Sequence, residues 1–358
     1  MSYLTRLRHC LYRLGLYRLG LIVGLAGLNA PLALHSAELM PIKVAITNTS
    51  SDIGIFIADK KGYFKEEGFD VTLVAFDSGT KIIAPLGTGE LQAGDGAATA
   101  GLYNAVARGI DIKVVANNSN APPGYGHNIL IVRKDLVESG RYKTLADLKG
   151  MKIAVTSQGA SSTSTLNEAL KRAGLTFKDI EPVYLGYPNH VTAMVNGKID
   201  AGLTAEPSAT QAEKLAPAVR IMSDDVIDPY HEASVFMISG KFIHDHRDAA
   251  VRLMRAFIKA QRYYNDSLKD GKISGRTADD VISILVESTE IKDAQLYRSI
   301  APQGAQPDGK LNMNSLHKDF DFYKSQGWID GAVTVEQAVD TSLVEDALKT
   351  LGPYKPNN

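Results

Sequence analysis

The feature that most constrains the fold of this chain is an internal repeat. Residues 43–47 read KVAIT and residues 152–156 read KIAVT, while residues 89–96 (GELQAGDG) have a counterpart at 197–204 (GKIDAGLT). The two matches are offset by 109 and 108 positions, so both motifs recur in the same order and spacing. A period this long does not suit a solenoid and predicts one structural unit that is used twice.

Each unit alternates strand and helix signals. In the first unit, the β-branched run at 43–47 predicts a buried strand, and capping residues at 48–52 precede a helix that begins at Ile53. In the second unit, a strand at 151–156 is followed by a Ser/Thr-rich loop at 157–164 and then a helix. Strands and helices in alternation predict an α/β protein with mainly parallel sheets covered by helices.

The N-terminal segment 1–37 predicts a secretory signal. It contains four arginines and no acidic residue, followed by an apolar stretch and a small-residue end. Cleavage after Ala37 is the expected site, although His35 fits the small-x-small rule poorly, and a retained anchor helix is the alternative. Removal of the segment leaves 35 basic against 40 acidic residues and takes away Cys10, the one cysteine. The exported chain is therefore expected to be acidic and free of disulfides and thiolate metal sites.

Two strand-like runs, at 128–133 and 233–239, suit connections that cross between two lobes. The predicted first lobe is discontinuous, residues 38–130 and 235–358, and the second lobe is residues 131–234. The C-terminal part is helical in pattern, with helices expected at 278–287, 313–326 and 335–348. We expect these helices to pack back onto the first lobe.

Four segments carry a resemblance to a known family: GIFIADKKGYFKEEGFDVTLVAFDSG (54–79), GELQAG (89–94), KTLADLKGMKIAVTSQGASS (143–162) and MVNGKIDAGLTAEP (194–207). They resemble the periplasmic solute-binding family of aliphatic-sulfonate, nitrate and taurine importers, whose superfamily also includes binders of thiamine-related pyrimidines. The resemblance covers about residues 40–260. It implies a two-lobed periplasmic-binding-protein fold, a ligand cleft between the lobes, hinge closure, a periplasmic location and delivery to an ABC permease in the inner membrane.

Polar loops at the strand ends predict where a ligand binds. In open α/β sheets, ligands bind beyond the carboxyl ends of the strands, where helix N-termini favour anions. Helix capping and turn formation are the alternative explanations for these residues. The candidate ligand contacts are Asn48, Ser51, Asp52, Asp77, Ser78, Thr99, Asn118, Ser161, Ser162, Thr163, Tyr187, Asn189 and Glu206. Asp95, within the first GELQAGDG motif, is expected to be structural.

The charge of the ligand is predicted less sharply than its location. None of the cleft loops carries an arginine to grip an acid group, so an anion would depend on backbone amides and hydroxyls. Asp52, Asp77 and Glu206 would instead suit an amino group or a protonated ring nitrogen. A sulfonate- or carboxylate-bearing anion or a taurine-like zwitterion is favoured. An aromatic acid or a pyrimidine is the alternative.

Other function classes find little support in the sequence. There is no HExxH, GxxxxGK[ST] or GxSxG motif, so we expect neither an enzyme, a metal site nor a bound cofactor. A pyrimidine synthase of the same superfamily is disfavoured because the exported chain has no cysteine. The near-neutral net charge gives no reason to expect nucleic acid as a partner. The chain is expected to be monomeric, and a sensory or partner-binding module on the same fold is the runner-up.

Overall fold

Two five-stranded sheets form the framework of the protein, in a computed structural model that describes residues 38–76, 78–215 and 218–356. The first sheet, the centre of the first lobe, contains β1 (Met40–Ile46), β2 (Phe69–Ala75), β3 (Ala93–Gly96), β4 (Ile112–Asn120) and β10 (Glu232–Ser239). The second sheet, the centre of the second lobe, contains β5 (Asn128–Arg133), β6 (Lys152–Val155), β7 (Glu181–Tyr184), β8 (Ala201–Ala205) and β9 (Ala218–Ser223). A separate hairpin consists of β11 (Leu268–Lys269) and β12 (Lys272–Ile273).

Both sheets have the same strand order, and this confirms the predicted duplication. The first sheet runs β2-β1-β3-β10-β4 and the second β7-β6-β8-β5-β9. Val44 pairs with Ala93 in parallel, and their repeat counterparts Ile153 and Ala201 pair in the same way. The fourth strand of each sheet, β10 or β5, is antiparallel to its neighbours. The mixed, mainly parallel sheets are those predicted.

Helices cover both sheets. Those before the end of the second sheet are α1 (Ile53–Lys60), α2 (Tyr63–Glu66), α3 (Ile83–Thr88), α4 (Ala100–Ala107), α5 (Lys134–Glu138), α6 (Ser161–Lys171), α7 (Tyr187–Val195) and α8 (Ser208–Leu215). Those after it are α9 (Asp224–Ile227), α10 (Gly240–Asp245), α11 (Arg247–Asn265), α12 (Ala278–Ser288), α13 (Ala294–Ser299), α14 (Met313–Ser325), α15 (Val335–Ala338) and α16 (Ser342–Leu351). Short 3-10 helices lie at Ser50–Asp52, Leu145–Leu148 and Phe177–Asp179.

Some helix boundaries differ from the prediction. Helix α6 begins at Ser161 rather than at 165, so half of the expected Ser/Thr loop forms its first turn. The reason is that the first turn has N–H groups without helical partners, where small hydroxyl residues are well tolerated. The predicted helix at 335–348 is interrupted, because Val339 forms a bridge with Val114 and the amide of Asp340 donates to the Val114 carbonyl.

The C-terminal helices do not all pack onto the first lobe. Helix α11 lies against α1, with the ring of Phe257 stacked 4.3 Å from that of Phe236 on β10. Helix α14 instead contacts both lobes. Its Phe320 ring packs edge-on against Tyr103 of the first lobe at 4.9 Å, and the next aromatic residue on the same helix lies 5.9 Å from Phe177 of the second. The helix therefore bridges the two lobes.

The chain passes between the lobes in two segments that contact each other. The amide of Tyr230 donates to the carbonyl of Ala121 at 2.8 Å, and the amide of Ala121 donates to the carbonyl of His231 at 3.3 Å. The predicted lobe boundaries, 130/131 and 234/235, fall inside β5 and β10, and the assignment of residues to lobes stays a prediction. Within the described ranges, no helix has the length and apolar character that crossing a membrane requires.

Candidate functional site

The loop after β1 is shaped by the buried carboxylate of Asp52. This carboxylate accepts hydrogen bonds from the amides of Thr47 at 3.1 Å and Thr49 at 2.9 Å. The side chain is fully buried, so its role in this structure is to build the loop. The preceding residue, Ser51, is half-buried, and its hydroxyl and carbonyl bond to other residues of the first lobe.

A second buried carboxylate, Asp95 at the end of β3, lies next to Asp52. It accepts from the Ser51 hydroxyl at 3.2 Å and from the Asn118 amide at 2.8 Å. Burial, and then repulsion from Asp95, raise the pKa of Asp52 well above its usual range, and burial raises the pKa of Asp95 to about 6. Both carboxyl groups therefore hold a proton more tightly than an exposed carboxyl group does.

Two side-chain amides converge on the carbonyl oxygen of Ser51. Asn118, on β4, donates to it at 2.9 Å, and Gln303, in the segment after α13, donates at 3.2 Å. The other end of each amide, Asn118 Oδ1 and Gln303 Oε1, is buried and has no hydrogen-bond partner among the described residues. These two oxygens are unused acceptors at the edge of the first lobe.

Helix α6 presents its N-terminus from the second lobe. Its N-cap residue, Ala160, has no side-chain oxygen to cap the helix, and the amides of Ser161 and Ser162 have no acceptor in the described part of the chain. The three predicted hydroxyls are engaged within the protein: Ser161 donates to the Ala233 carbonyl at 2.9 Å, Ser162 pairs with the Thr156 hydroxyl at 2.9 Å, and Thr163 donates to the Ala160 carbonyl at 2.6 Å. The free donors are backbone amides at the positive end of the helix dipole.

The two lobes contact each other at these strand-end loops. The Ser50 hydroxyl donates to the Glu206 carbonyl at 3.3 Å, and the hydroxyls of Thr80 and Ser157 lie 3.2 Å apart. The amide of Ala100, at the start of α4, donates to the Gly159 carbonyl at 2.9 Å. The carboxyl-end edges of both sheets therefore meet along one seam.

A cavity of about 10 Å³ lies beside this seam. Its polar lining consists of Ser50, His127 and Gln303, and the rest of the wall is largely apolar and comes from helices α1, α11, α12 and α13, strand β12 and the segment after α13. His127 is buried, its ring nitrogens make no hydrogen bond to any described residue, and burial lowers its pKa to about 4. The imidazole is therefore neutral at pH 7.

Beside the crossing segments, a buried polar network joins the second lobe to α14. His231 donates from Nε2 to the carboxylate of Asp319 at 3.0 Å, and its Nδ1 lies 3.3 Å from the hydroxyl of Thr165 on α6. Burial alone would lower the pKa of His231, but the charge of Asp319 outweighs it and the pKa is raised to about 9. The His231 imidazole is therefore charged at neutral pH. Across the described residues no group of three or more His, Cys, Asp or Glu side chains could hold a metal ion.

The remaining predicted contacts lie in varied settings. Glu206 is buried with its carboxylate paired to Arg220 at 2.5 Å, so only its carbonyl reaches the seam. Tyr187 donates to Asn128 at 3.1 Å, in the first turn of α7. The other predicted contacts are the N-cap Thr99 of α4, exposed Asn48 and Asn189, half-buried Ser78, and Asp77, which lies outside the described residues. Ligand contact at all thirteen predicted positions stays a prediction.

Sequence reasoning did not select His127 or Gln303. Both lie outside the repeated units, His127 in a crossing segment and Gln303 between α13 and α14. His127 could have been selected because it directly precedes β5, the run that was predicted to connect the two lobes. No comparable signal marked Gln303.

Comparison with known proteins supports this picture of the fold. A family model described as NMT1/THI5 like matches residues 49–267. A solved structure, the alkanesulfonate-binding protein SsuA from Xanthomonas axonopodis pv. citri bound to MOPS, superposes with a TM-score of 0.68 at 19% identity and covers 85% of this chain and 99% of that one. At this identity the likeness shows the fold alone, and it confirms the predicted two-lobed architecture.

Among sequence relatives, a protein of Escherichia coli named for binding aliphatic sulfonates is 30% identical over 192 residues. That alignment covers 53% of this chain and 57% of the relative, so the chain spans just over half of that protein's length. A Bacillus subtilis protein of the same name is 26% identical over 87% of this chain and 89% of its own. A Saccharomyces cerevisiae enzyme, 4-amino-5-hydroxymethyl-2-methylpyrimidine phosphate synthase THI13, is 30% identical over 44% of this chain and 43% of its own.

Proposed function

The chain belongs to the NMT1/THI5-like family, and on this premise we propose that it is the substrate-binding component of an ABC importer. It captures a small organic anion or zwitterion, bearing a sulfonate or carboxylate group, in the cleft between its lobes. The names of the Escherichia coli and Bacillus subtilis relatives support the sulfonate class. Loaded protein then delivers the ligand to a permease in the inner membrane.

One observation carries this proposal: the carboxyl-end loops of two duplicated sheets face each other across a single seam. Ser50 of the first lobe reaches the Glu206 carbonyl of the second, and Ala100 reaches Gly159. In open α/β sheets this edge is where ligands bind. Two lobes that meet there can enclose a small molecule and release it by a hinge motion at the two crossing segments.

The acid group of the ligand is assigned to the N-terminus of α6. The amides of Ser161 and Ser162 have no acceptor among the described residues, and the helix dipole adds a partial positive charge there. Arg220, whose partner Glu206 contacts the seam, cannot take this role because it is already paired with the carboxylates of Glu206 and Glu213. An anion in this site therefore relies on backbone donors.

A substrate-binding component of an importer works in the periplasm, so the proposed function requires that the protein is exported. The segment 1–37, which lies outside the described residues, is proposed to direct secretion and to leave a monomeric periplasmic protein. A catalytic function would require a nucleophile or an acid–base pair at the seam. The hydroxyl groups that lie there already form hydrogen bonds with other groups of the protein. The likeness to a yeast pyrimidine synthase favours a pyrimidine as the second ligand class.

A thermal-shift screen on the purified, exported protein tests the function. The probes are alkanesulfonates, taurine, nitrate, aromatic carboxylates and aminopyrimidines. At 100 times its dissociation constant a ligand that binds only the native state stabilises it by about 2.7 kcal/mol. A clear shift with sulfonates or carboxylates is expected. A shift with pyrimidines alone would favour the second class, and turnover of a probe without any shift would refute the receptor function.

A further inference from the structure

Two adjacent hydroxyl groups near the start of α6 contact the buried His231–Asp319 pair. Ser164 donates to the Asp319 carboxylate at 2.5 Å, and the Thr165 hydroxyl lies 3.3 Å from Nδ1 of His231. His231 completes this network by donating from Nε2 to the same carboxylate at 3.0 Å. Each of the four side chains is at most 2% exposed, so water does not compete for these hydrogen bonds.

The charge of His231 fixes the direction of the hydrogen bonds in this network. Although burial alone would lower the pKa of His231, the charge of Asp319 raises it to about 9, so both ring nitrogens carry a proton at neutral pH. Nδ1 then donates to the Thr165 hydroxyl, and that hydroxyl donates to the Ser161 carbonyl at 3.2 Å. A neutral imidazole would instead accept at Nδ1 and compete with the Ser161 carbonyl for the single proton of the hydroxyl.

Other ionisable groups face the imidazole or its partner from α4, α9, α14 and β10. They are Lys318 of α14, Asp224 and Asp228 at the two ends of α9, Glu232 of β10, and Tyr103 and Tyr323 beside Asp319. Lys318 forms an ion pair with Asp228. Burial raises the pKa of Asp224 to about 6 and that of Glu232 to about 7, and it raises the pKa of both tyrosines above their usual range. These four groups therefore titrate away from pH 9.

The same helix carries the backbone amides to which the acid group of the ligand is assigned. Those of Ser161 and Ser162 lie one turn before the network, and the Ser161 hydroxyl donates to the carbonyl of Ala233 in β10 at 2.9 Å. The preceding crossing segment is itself attached to α14, because the Glu232 amide donates to the Ser315 hydroxyl at 2.8 Å. A hydrogen bond weakens steeply as its angle departs from linearity, so the orientation of α6 decides how well its N-terminal amides bind an anion.

We propose that Asp319 is a positioning residue for the ligand site and acts on α6 through His231 and Ser164. It holds the helix in the orientation in which the N-terminal amides bind the acid group, without touching the ligand itself. The inference rests on the proposed function and adds the group that aligns its anion site. Loss of the imidazole proton weakens the attachment of α6 and therefore the affinity for the ligand.

The test measures the affinity for ethanesulfonate and for benzoate between pH 7.5 and 10 by isothermal titration calorimetry. Both probes keep a constant charge over this range, so a change in affinity reports on the protein. The affinity of the native protein should fall by about tenfold as the pH rises through 9, the factor that one hydrogen bond contributes. Asp319→Asn removes the charge that retains the imidazole proton. It should bind about tenfold more weakly at pH 7.5 and show no further fall at pH 9.

His317→Gln is the matched control, because it removes a half-buried histidine of the same helix whose partner, Glu336, is exposed. This variant should keep the native affinity and the fall near pH 9. Ser164→Ala removes only the hydroxyl that donates to Asp319, and it should weaken binding at pH 7.5 even if Asp319→Asn does not fold.

Two results would overturn the positioning role and leave the receptor function standing. One is a native affinity that stays level from pH 7.5 to 10, and the other is native affinity in a folded Asp319→Asn protein. Absence of binding of both probes to the native protein would overturn the acid-binding function, and this inference with it.

Discussion

Adding one methyl group at Gly159 should weaken ligand binding by interfering with lobe closure. Gly159 has a φ of 67°, and a Cβ placed on it would lie 2.5 Å from the Cβ of Ala100 on the other lobe. Carbon atoms in contact are separated by about 3.5–4.0 Å, so the lobes would have to separate by about 1 Å at this point. That separation also lengthens the 2.9 Å hydrogen bond from the Ala100 amide to the Gly159 carbonyl.

The loss of this bond and its packing costs the closed form about 1–1.5 kcal/mol, which corresponds to about a tenfold weaker apparent affinity. Gly159→Ala carries a second effect, because a left-handed backbone is unfavourable by about 1–2 kcal/mol for a residue with a Cβ. The strain acts on the stability of the protein whether or not the lobes are closed. The two effects must therefore be separated by a control.

Gly174 provides that control. Its φ is 68°, and a Cβ placed on it would have no atom within 4 Å. Gly174→Ala should lower the melting temperature as much as Gly159→Ala does, without changing the affinity. Calorimetric titration of both variants with the tightest ligand found in the screen measures the difference. Equal affinities for the two variants would refute the inference that the Ala100–Gly159 contact forms on closure.

Three further predictions concern the buried interactions. The raised pKa of His231, about 9 against about 6.5 in the unfolded chain, stabilises the protein by about 3 kcal/mol below pH 6.5, and this contribution is lost as the pH rises through 9. Urea unfolding of Asp319→Asn should show a much smaller stability difference between pH 6.5 and 9.5 than the native protein does. Arg220→Ala leaves the buried carboxylate of Glu206 without its charged partner and should cost about 2 kcal/mol in urea unfolding. Phe257→Ala should cost about 3–5 kcal/mol in the same measurement, because the stacked core ring is removed.

A control variant tests the Arg220 prediction, and the pH profile of Asp319→Asn tests the His231 prediction. Arg108→Ala breaks a 3.7 Å pair with Asp330 in which both side chains are largely exposed, and it should change stability by less than about 1 kcal/mol. If it costs as much as Arg220→Ala, burial is not the reason for the larger effect. An unchanged pH profile in Asp319→Asn would show that His231 is not held in its charged form by that carboxylate.

The repeat made the two sheets predictable, because strand pairing depends on short apolar runs that the duplication marks twice. The first residues of the helices were harder to predict from the sequence. Small polar residues such as Ser161 and Ser162 suit both a loop and the first turn of a helix, and tertiary packing decides between them. Ser51 and Asn118 could be selected because the sequence marks polar residues near the carboxyl ends of the predicted strands; the structure extends β4 through Asn118 to Asn120. The contact between Gln303 and Ser51 could not be predicted, because it depends on how the segment after α13 lies across the first lobe.

The duplication also explains why the two walls of the cleft differ in chemistry. After the first strand of each unit, a threonine amide donates to a side chain further along the chain: Thr47 to the carboxylate of Asp52, five residues on, and Thr156 to the hydroxyl of Ser162, six residues on. In the second motif, the position of Asp95 corresponds by the 108-residue offset to Leu203. Asp52 and Asp95 thus have uncharged counterparts in the second unit. One backbone scaffold, used twice, therefore presents two buried carboxyl groups and unpaired amide oxygens on one side and uncapped helix amides on the other.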